Sequence, residues 1–364
     1  MDKSVLTRVE NFIKYSNSSE VTFNEVFCDL YAEQMMHNPV MKKYFDSFFA
    51  GFYPVDYRHL PLIPVQFFKE FEMRSYEAHD QERCWHSSGT SGKISKTFLS
   101  DTKIYDLVIE KLWKARVPQF SNPNRKPLQT YRFIPTSDQW QNSSLAHFFD
   151  VGQKTESLDF TNAWCNAIRL NEQKDRFVVE YDSLLEFIEF HEDQDVPMRL
   201  VGTSYAIASV FDKLEELNAR FQLPEGSSVL DTGGYKGIVR DRSRGEFLDQ
   251  AYHTLGIDLR HCVNEYGMSE LSSHFWNFYL DGSEWWYVPP WVRVRIIDPL
   301  TNEDSPDGVA AFYDLANVWS CCAILSQDRI ELMKRDNRQY IRPLGRVRDA
   351  EVKGCSITAE RAMR

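Results

Sequence analysis

Residues 87–96 are the part of the chain best suited to holding phosphate, and read Ser-Ser-Gly-Thr-Ser-Gly-Lys-Ile-Ser-Lys. The glycines and small hydroxyl residues let backbone N–H groups and hydroxyls approach phosphate oxygens, and Lys93 and Lys96 can offset phosphate charge. The segment is not a Walker A loop, which needs glycine at position 87 and serine or threonine at position 94, where Ile94 stands. Loops of this composition are most often solvated turns, so the segment alone is weak support for a function.

Residues 265–270, Glu-Tyr-Gly-Met-Ser-Glu, form a second polar segment directly after a predicted strand. An aromatic ring can stack on a purine, a hydroxyl can bond a phosphate, and a carboxylate can hold Mg²⁺. Taken alone, the segment is more often an ordinary turn at a strand end.

The elements that must position these segments follow a strand–turn–helix rhythm from about residue 129 onward. Apolar runs with strand character alternate with amphipathic helical runs, which predicts an α/β sheet with ligand-binding loops at its strand ends. The predicted strands are 131–135, 196–201, 228–230 and 259–263, and the predicted helices are 181–190, 206–221 and 245–255. Near the C-terminus, apolar residues alternate with arginines over 292–296 and predict a strand with one wet face.

The two ends of the chain differ from this middle part. Residues 1–80 read as helical, because apolar residues recur there at helical spacing. Residues 60–65 contain two prolines and predict a packed connector, with one wall of an apolar cleft as the alternative. The charged stretch 345–364 is too short to fold alone and predicts a mobile or docked tail.

Composition limits the class of protein. With 364 residues, 43% of them apolar, the chain can bury a sizeable core and is not disordered. A net charge of −11 argues against binding bulk nucleic acid, although local cations can still serve an anionic small substrate. Seven cysteines without a CxxC pair indicate reduced thiols of a cytoplasmic protein. The sequence contains no apolar run of about 18 residues, so it predicts no membrane span.

In chain order, these segments together resemble the adenylate-forming superfamily, whose members activate carboxylates with ATP. Within that superfamily the chain resembles the acyl-protein synthetases of bacterial bioluminescence operons (LuxE-like), over nearly its whole length. The motifs that carry the likeness are residues 60–64 with 68–69, 142–145, 231–237, and 345–346 with 354–355. The combination is fairly specific, whereas any one motif is not.

The resemblance implies an α/β fold with the N-terminal-type core of adenylate-forming enzymes. It implies a helical N-terminal region (1–80), an α/β core (81–345) and a short C-terminal tail (346–364) that carries Cys355. Only eighteen residues follow Arg346, whereas most relatives continue into a small domain with a catalytic lysine, so a full small domain is expected to be missing.

The resemblance also implies residue roles and two cofactors, ATP and Mg²⁺. The loop that should hold the β- and γ-phosphates comprises Ser87, Ser88, Gly89, Thr90, Ser91 and Gly92, with Lys96 as its catalytic cation. The residues that should surround the nucleotide are Gly233, Gly234 and Tyr235 beside the adenine, Tyr266 stacked on it, Gly267, Ser269 at the α-phosphate, Asp328 at the ribose and Arg346 near the ribose or phosphate. Glu270 should ligate Mg²⁺. The sequence departs from the family pattern in lacking the usual proline before the last lysine of the loop, and in having Ser326-Gln327 where many relatives have Thr-Gly.

In the acyl-protein synthetases a cysteine near the C-terminus accepts the acyl group as a thioester, and Cys355 matches it by position. Arg348 and Lys353 could lower the thiol pKa and raise the thiolate fraction. The resemblance therefore implies that the chain adenylates a carboxylic acid, expected to be fatty with an aryl acid as the alternative. The acyl group would pass to Cys355 and then to a partner acyl reductase. The alternative for Cys355 is a chance cysteine in a frayed terminus.

Two other functions fit the residues. The acyl-adenylate could be transferred to coenzyme A, a carrier-protein thiol or an amine. Alternatively, the chain could be a non-catalytic subunit that keeps the fold and binds nucleotide or a reductase partner.

Overall fold

The computed structural model describes residues 1–15, 19–49, 53–87, 93–116, 128–156, 162–173, 177–233 and 243–347. The chain divides into two compact units. We call residues 110–267 with 276–282 the central unit, and residues 1–109, 268–275 and 283–364 the terminal unit.

Helices occur in both units of the described chain. The α-helices are α1 Lys3–Lys14, α2 Glu20–His37, α3 Pro39–Asp46, α4 Phe67–Glu70, α5 Lys103–Arg116, α6 Ser144–Glu156, α7 Tyr181–Asp193, α8 Ser204–Glu216 and α9 Arg244–Leu255, with 3₁₀ turns at Tyr57–His59 and Leu259–His261. Within the described ranges, every helix is too short or too polar to cross a membrane.

The strands are mostly short. They are β1 Ile63–Pro64, β2 Arg83–His86, β3 Lys96–Leu99, β4 Leu128–Phe133, β5 Asn162–Asn166, β6 Ile168–Leu170, β7 Phe177–Val179, β8 Met198–Thr203, β9 Ser228–Thr232, β10 Cys262–Tyr266, β11 Phe275–Leu280, β12 Ser283–Val288, β13 Val292–Ile297, β14 Val309–Asp314, β15 Ala323–Leu325, β16 Asp328–Arg335 and β17 Arg338–Arg346.

The central unit is built on a parallel sheet in the order β10-β9-β8-β4-β5, with β11 next to β10. Its middle strands are buried on both faces, which is why they read as continuous apolar runs. Leu200 and Val229 of the sheet pack in one core with Ile207 and Phe211 of α8. Because parallel strands end at a common edge, the residues after β8, β9 and β10 are neighbours.

The terminal unit holds the N-terminal helices and antiparallel strands. Its sheets run β1-β15-β14-β13 and β16-β17-β12, and β2 and β3 form a separate hairpin. Helix α2 is joined to the loop after β14 by the buried side chain of Gln34, which donates to the carbonyls of Asn317 (2.7 Å) and Val318 (3.1 Å). A polar side chain thus fixes the helix on the sheet at a point where apolar packing alone would leave backbone groups without partners.

Most sequence-predicted elements are confirmed. The predicted parallel-sheet strands correspond to β4, β8, β9 and β10, and the connector at 60–65 is packed, since Ile63 pairs with Ile324 in β1–β15. The prediction of strand at 259–261 is wrong, because the Asp258 carboxylate accepts from the Arg260 N–H and folds these residues into a 3₁₀ turn. Helix α8 also ends earlier than predicted, at Glu216, and Asn218 has a positive φ of 51°.

Candidate functional site

The predicted phosphate loop connects the two strands of the β2–β3 hairpin in the terminal unit. The Ser87 N–H donates to the Ser95 carbonyl (3.1 Å), and the Ser95 N–H donates to the Ser87 hydroxyl (3.0 Å). These two bonds close the base of the connection, directly beyond the paired residues His86 and Lys96. The loop therefore starts and ends at fixed positions.

The two lysines of this segment differ in their surroundings. Lys93 forms an exposed ion pair with Glu70 (2.6 Å), the kind that solvent weakens and a stronger anion can displace. Lys96, the predicted catalytic cation, is exposed at the start of β3. Burial and the nearby Lys96 charge together lower the pKa of His86, which pairs with Lys96 in the hairpin.

Glu270, the predicted metal ligand, lies in the turn that follows β10 and is 6% exposed. Burial raises the pKa of its carboxyl, and the adjacent Ser95 hydroxyl opposes that shift, as do the Arg346 and Lys69 cations. The structure thus brings Glu270 to the base of the predicted phosphate loop.

A set of buried hydrogen bonds fixes the turn that carries Glu270. The Asn317 amide donates to the Glu270 carbonyl (2.7 Å). The Asp314 carboxylate accepts from the Ser272 N–H (3.1 Å) and from the Ser273 hydroxyl (2.7 Å). Burial raises the pKa of Asp314 to about 6. Neither Asn317 nor Asp314 was predicted from the sequence, although an aspartate that ends an otherwise apolar strand was a usable signal.

Asp328 and Arg346, predicted to contact the ribose and phosphates, face each other across β16–β17. They are register partners, and the Arg346 Nε donates to an Asp328 oxygen at 2.8 Å. Asp328 is buried, whereas the Arg346 side chain is 57% exposed. Burial raises the pKa of Glu270 and the Arg346 charge opposes that shift, which indicates that the two side chains are near each other. The terminal unit therefore brings Asp328 and Arg346 together with Ser95 and Glu270.

Two of the predicted adenine-binding residues, Gly233 and Tyr266, lie at adjacent strand ends in the central unit. Thr232 pairs with Glu265 in the parallel β9–β10 ladder, and the Thr232 hydroxyl donates to the Glu265 carboxylate. Gly233 and Tyr266 are the next residues on the two strands, so the structure brings them together. Gly233 has a φ of +81°, which favours glycine.

Two further predicted site residues lie in the turn after β10. Gly267 is exposed and Ser269 is half-buried in the turn after β10. Eight of the predicted positions lie outside the described residues: Ser88, Gly89, Thr90, Ser91, Gly92, Gly234, Tyr235 and Cys355.

Comparison with known proteins decides the family. The family model "Acyl-protein synthetase, LuxE" matches residues 12–364. The chain belongs to the acyl-protein synthetase family. It is therefore an AMP-forming ligase of carboxylic acids. No curated protein matches it.

Solved structures agree with this acyl-protein synthetase assignment at the level of the fold. One is an open conformation of 2-hydroxyisobutyryl-CoA ligase in complex with 2-HIB-AMP and CoA. It is 12% identical with a TM-score of 0.60, over 90% of this chain and 75% of that one. Another is an acyl acid amido synthetase in complex with 2,4-DB, 11% identical with a TM-score of 0.53, over 95% of this chain and 70% of that one. At such identities the likeness shows a shared adenylate-forming fold.

Adenylate-forming ligases use ATP and Mg²⁺ in general, and the donor set of this acyl-protein synthetase fits the metal. The described ranges hold no group of three or more His, Cys, Asp or Glu side chains placed to bind an ion. Mg²⁺ does not need one, since it commonly takes one or two carboxylates and fills its shell with water and phosphate oxygens. A nearby cation stabilises the charged form of a buried carboxylate with a raised pKa, such as Glu270.

Proposed function

We propose that this acyl-protein synthetase activates a fatty acid with ATP and transfers the acyl group to Cys355, from which a partner acyl reductase takes it. The observation that carries the proposal is the placement of Glu270: a buried carboxylate beside Ser95, with the Arg346 and Lys69 charges nearby. The two cations and the hydroxyl can supply the positive charge and the donor that a reaction between two anions needs, and the carboxylate can hold a metal ion.

In the first step, a carboxylate oxygen of the acid attacks the α-phosphorus of ATP. The bond from that phosphorus to the β-phosphate oxygen breaks, which yields the acyl-adenylate and pyrophosphate. Both reactants are anions, so the step needs positive charge and N–H or O–H donors where negative charge accumulates. The activated acyl carbon then carries AMP, a good leaving group.

We assign roles to the residues of the terminal unit accordingly. Mg²⁺ held by Glu270 would supply Lewis-acid charge to the phosphates. The hairpin loop at 87–96 and Lys96 would hold the β- and γ-phosphates, and Ser269 the α-phosphate. Asp328 would accept hydrogen bonds from the ribose hydroxyls, with Arg346 orienting its carboxylate through their 2.8 Å contact.

In the central unit, we assign the adenine to the ends of β9 and β10. Gly233, Gly234 and Tyr235 would border the base, and Tyr266 with Gly267 would cover it. An aromatic face suits this role because stacking on a purine needs no particular pattern of donors.

In the second step, the Cys355 thiolate attacks the acyl carbon and AMP leaves with the bonding electrons. The products are a thioester and AMP, and the thiol proton goes to solvent or to AMP. We propose that the chain is organised as a helical region (1–80), an adenylating core (81–345) and a tail (346–364) that presents this cysteine.

The proposal is tested by incubating the chain with ATP, Mg²⁺ and a panel of carboxylic acids in an ATP–pyrophosphate exchange assay. A labelled fatty acid should then give protein-bound label that neutral hydroxylamine releases. Cys355→Ser should lose the label yet keep the exchange, and Cys28→Ser serves as the matched control because Cys28 is half-buried in α2.

The outcomes separate the two steps. If no acid supports exchange, the adenylation itself is wrong. If Cys355→Ser still carries label, the acceptor is misassigned. A diffusible acyl product made by Cys355→Ala would point to coenzyme A, a carrier-protein thiol or an amine as acceptor.

A further inference from the structure

The main chain of Glu270 is joined by one buried amide to the loop between β14 and β15. The Asn317 Nδ2 donates to the Glu270 carbonyl at 2.7 Å, and the Asn317 Oδ1 accepts from the Ser272 hydroxyl at 3.4 Å. Asn317 is 2% exposed, so both bonds form where solvent is largely excluded and an unpaired polar group would be costly. One side chain therefore binds two residues of the turn that carries the proposed Mg²⁺ ligand.

Helix α2 holds the loop from which Asn317 projects. The Gln34 Nε2 donates to the carbonyls of Asn317 (2.7 Å) and Val318 (3.1 Å), and the Gln34 Oε1 accepts from the Cys322 N–H (2.9 Å). Gln34 is fully buried. It joins the two ends of the loop, and helix α2 is thereby connected to Glu270 through two amide side chains.

The segment that precedes β2 fixes the same loop from a second side. The Ser75 N–H donates to the Trp319 carbonyl (2.9 Å), and the Ser320 hydroxyl donates to the Met73 carbonyl (2.6 Å). Both serines are fully buried. Because these bonds engage the loop at successive residues, the loop gives Asn317 a rigid support.

We infer that Gln34 and Asn317 are positioning residues for the Mg²⁺ site, because together they hold the main chain of Glu270 where its carboxylate can bind the metal. The inference rests on the proposed function, which assigns Mg²⁺ to Glu270. Mg²⁺ requires nearly ideal octahedral geometry, so its affinity depends on how firmly each ligand is held. Replacing a residue that orients a metal ligand typically costs about 10- to 100-fold in metal affinity or activity.

The functional test measures the Mg²⁺ concentration that gives half-maximal ATP–pyrophosphate exchange in full-length variants. Asn317→Ala should raise this concentration by about tenfold, with an unchanged KM for the acid. Gln34→Met should raise it by about threefold, because the Asn317 amide remains and only its support is lost. A value within about twofold of wild type in folded Asn317→Ala would overturn the inference.

Two other amides of the terminal unit provide matched controls. The Asn24 amide donates to the Val55 carbonyl (2.8 Å) and accepts from the Tyr57 N–H (2.9 Å). The Gln339 amide donates to the Val294 carbonyl (2.9 Å) and accepts from the Val294 N–H (3.1 Å). Asn24→Ala and Gln339→Met should therefore lower the free energy of unfolding in urea and keep the wild-type response to Mg²⁺. An equal rise of the Mg²⁺ requirement in these controls would reject the positioning role.

Amide hydrogen exchange tests the positioning without metal or catalysis. In the turn, the Leu271 N–H donates to the Met268 carbonyl (3.0 Å) and the Ser272 N–H to the Asp314 carboxylate (3.1 Å). In Asn317→Ala these two amides should exchange about tenfold faster, as expected for the loss of one buried hydrogen bond, and in the asparagine control at the wild-type rate. Unchanged protection in folded Asn317→Ala would overturn the inference, whereas a wild type that shows no ATP–pyrophosphate exchange with any acid rejects only the proposed function.

If Asn317→Ala does not fold, Ser272→Ala replaces it in both measurements. That variant keeps the Asn317 amide and removes only the hydroxyl that donates to its oxygen. The Mg²⁺ requirement and the hydrogen-exchange rate of the Leu271 amide should each rise by about threefold. A wild-type value in either measurement would contradict the inference.

Discussion

At the residue scale, two buried carboxylates of the terminal unit show how surroundings decide a role. Asp314 accepts hydrogen bonds from Ser272, Ser273 and Ala316, so its oxygens are engaged in holding the turn. The Glu270 carboxyl is nearly as buried, and burial raises its pKa against the influence of Ser95 and of cations nearby. The Asp314 carboxylate therefore stabilises the fold of the turn, whereas the Glu270 carboxylate is suited to binding a cation.

Glu270→Gln should lower the rate of ATP–pyrophosphate exchange by about a hundredfold or more, because the amide keeps the shape and loses the charge that we propose holds Mg²⁺. The thermal midpoint should change little, since the amide suits the buried position at least as well as a carboxylate. The control is Glu331→Gln, whose carboxylate pairs with Arg342 at an exposed position. Exchange at the wild-type rate in Glu270→Gln would remove this residue from the site.

If Glu270 holds Mg²⁺ as proposed, its titration should make the activation of exchange by Mg²⁺ depend on pH. Because burial raises the Glu270 pKa, protons compete with Mg²⁺ at a higher pH than for an exposed glutamate. The Mg²⁺ concentration for half-maximal exchange should therefore increase as pH falls through that raised pKa. In Glu270→Gln the activation constant should be nearly independent of pH over the same range, and a parallel dependence in both proteins would refute the assignment.

At the scale of elements, the ends of β9 and β10 set the backbone of the candidate adenine site. Gly233 follows the Thr232–Glu265 pair with a φ of +81°, and among the described residues no atom lies within 4 Å of a Cβ added there. The positive φ is therefore the expected source of strain for any other residue at this position.

Gly233→Ala should destabilise the fold by about 1–2 kcal/mol and raise the KM for ATP. Gly282→Ala is a close control, because Gly282 in the β11–β12 turn has a φ of +78° and equally open space. Both variants should lower the free energy of unfolding in urea by similar amounts, and only Gly233→Ala should change the KM. A matching rise of the KM in Gly282→Ala would show that general loosening is the cause.

At the scale of the whole molecule, the sequence predicted the features that depend on local pattern. Continuous apolar runs predicted the parallel strands β8, β9 and β10, and the polar segments after them predicted Tyr266 and Glu270 as site residues. Contacts between residues far apart in the chain were not predictable in the same way. Ser204 and Arg244 meet Asp231 only because of the order of strands and helices in the central unit, and no spacing in the sequence encodes that order.

The buried Asp314 carboxyl makes the stability of the molecule depend on pH in a specific way. Burial raises its pKa from 3.8 to about 6, so the folded state binds this proton more tightly than the unfolded state does. The stabilisation is therefore fully present below pH 3.8 and is lost as the pH rises through about 6. At 1.36 kcal/mol per pKa unit, the loss is about 3 kcal/mol.

The loss is measured by urea unfolding between pH 4 and pH 7.5 for wild type, Asp314→Asn and the exposed control Asp336→Asn. The amide cannot titrate, so the stability of wild type relative to Asp314→Asn should fall by about 2.5 kcal/mol across that range, since part of the stabilisation is already lost at pH 4. Relative to Asp336→Asn it should stay nearly flat, because the Asp336 side chain is 90% exposed. A flat difference between wild type and Asp314→Asn would mean that the donors from Ser272, Ser273 and Ala316 compensate the buried charge in full, and that Asp314 holds the Glu270 turn equally well at all of these pH values.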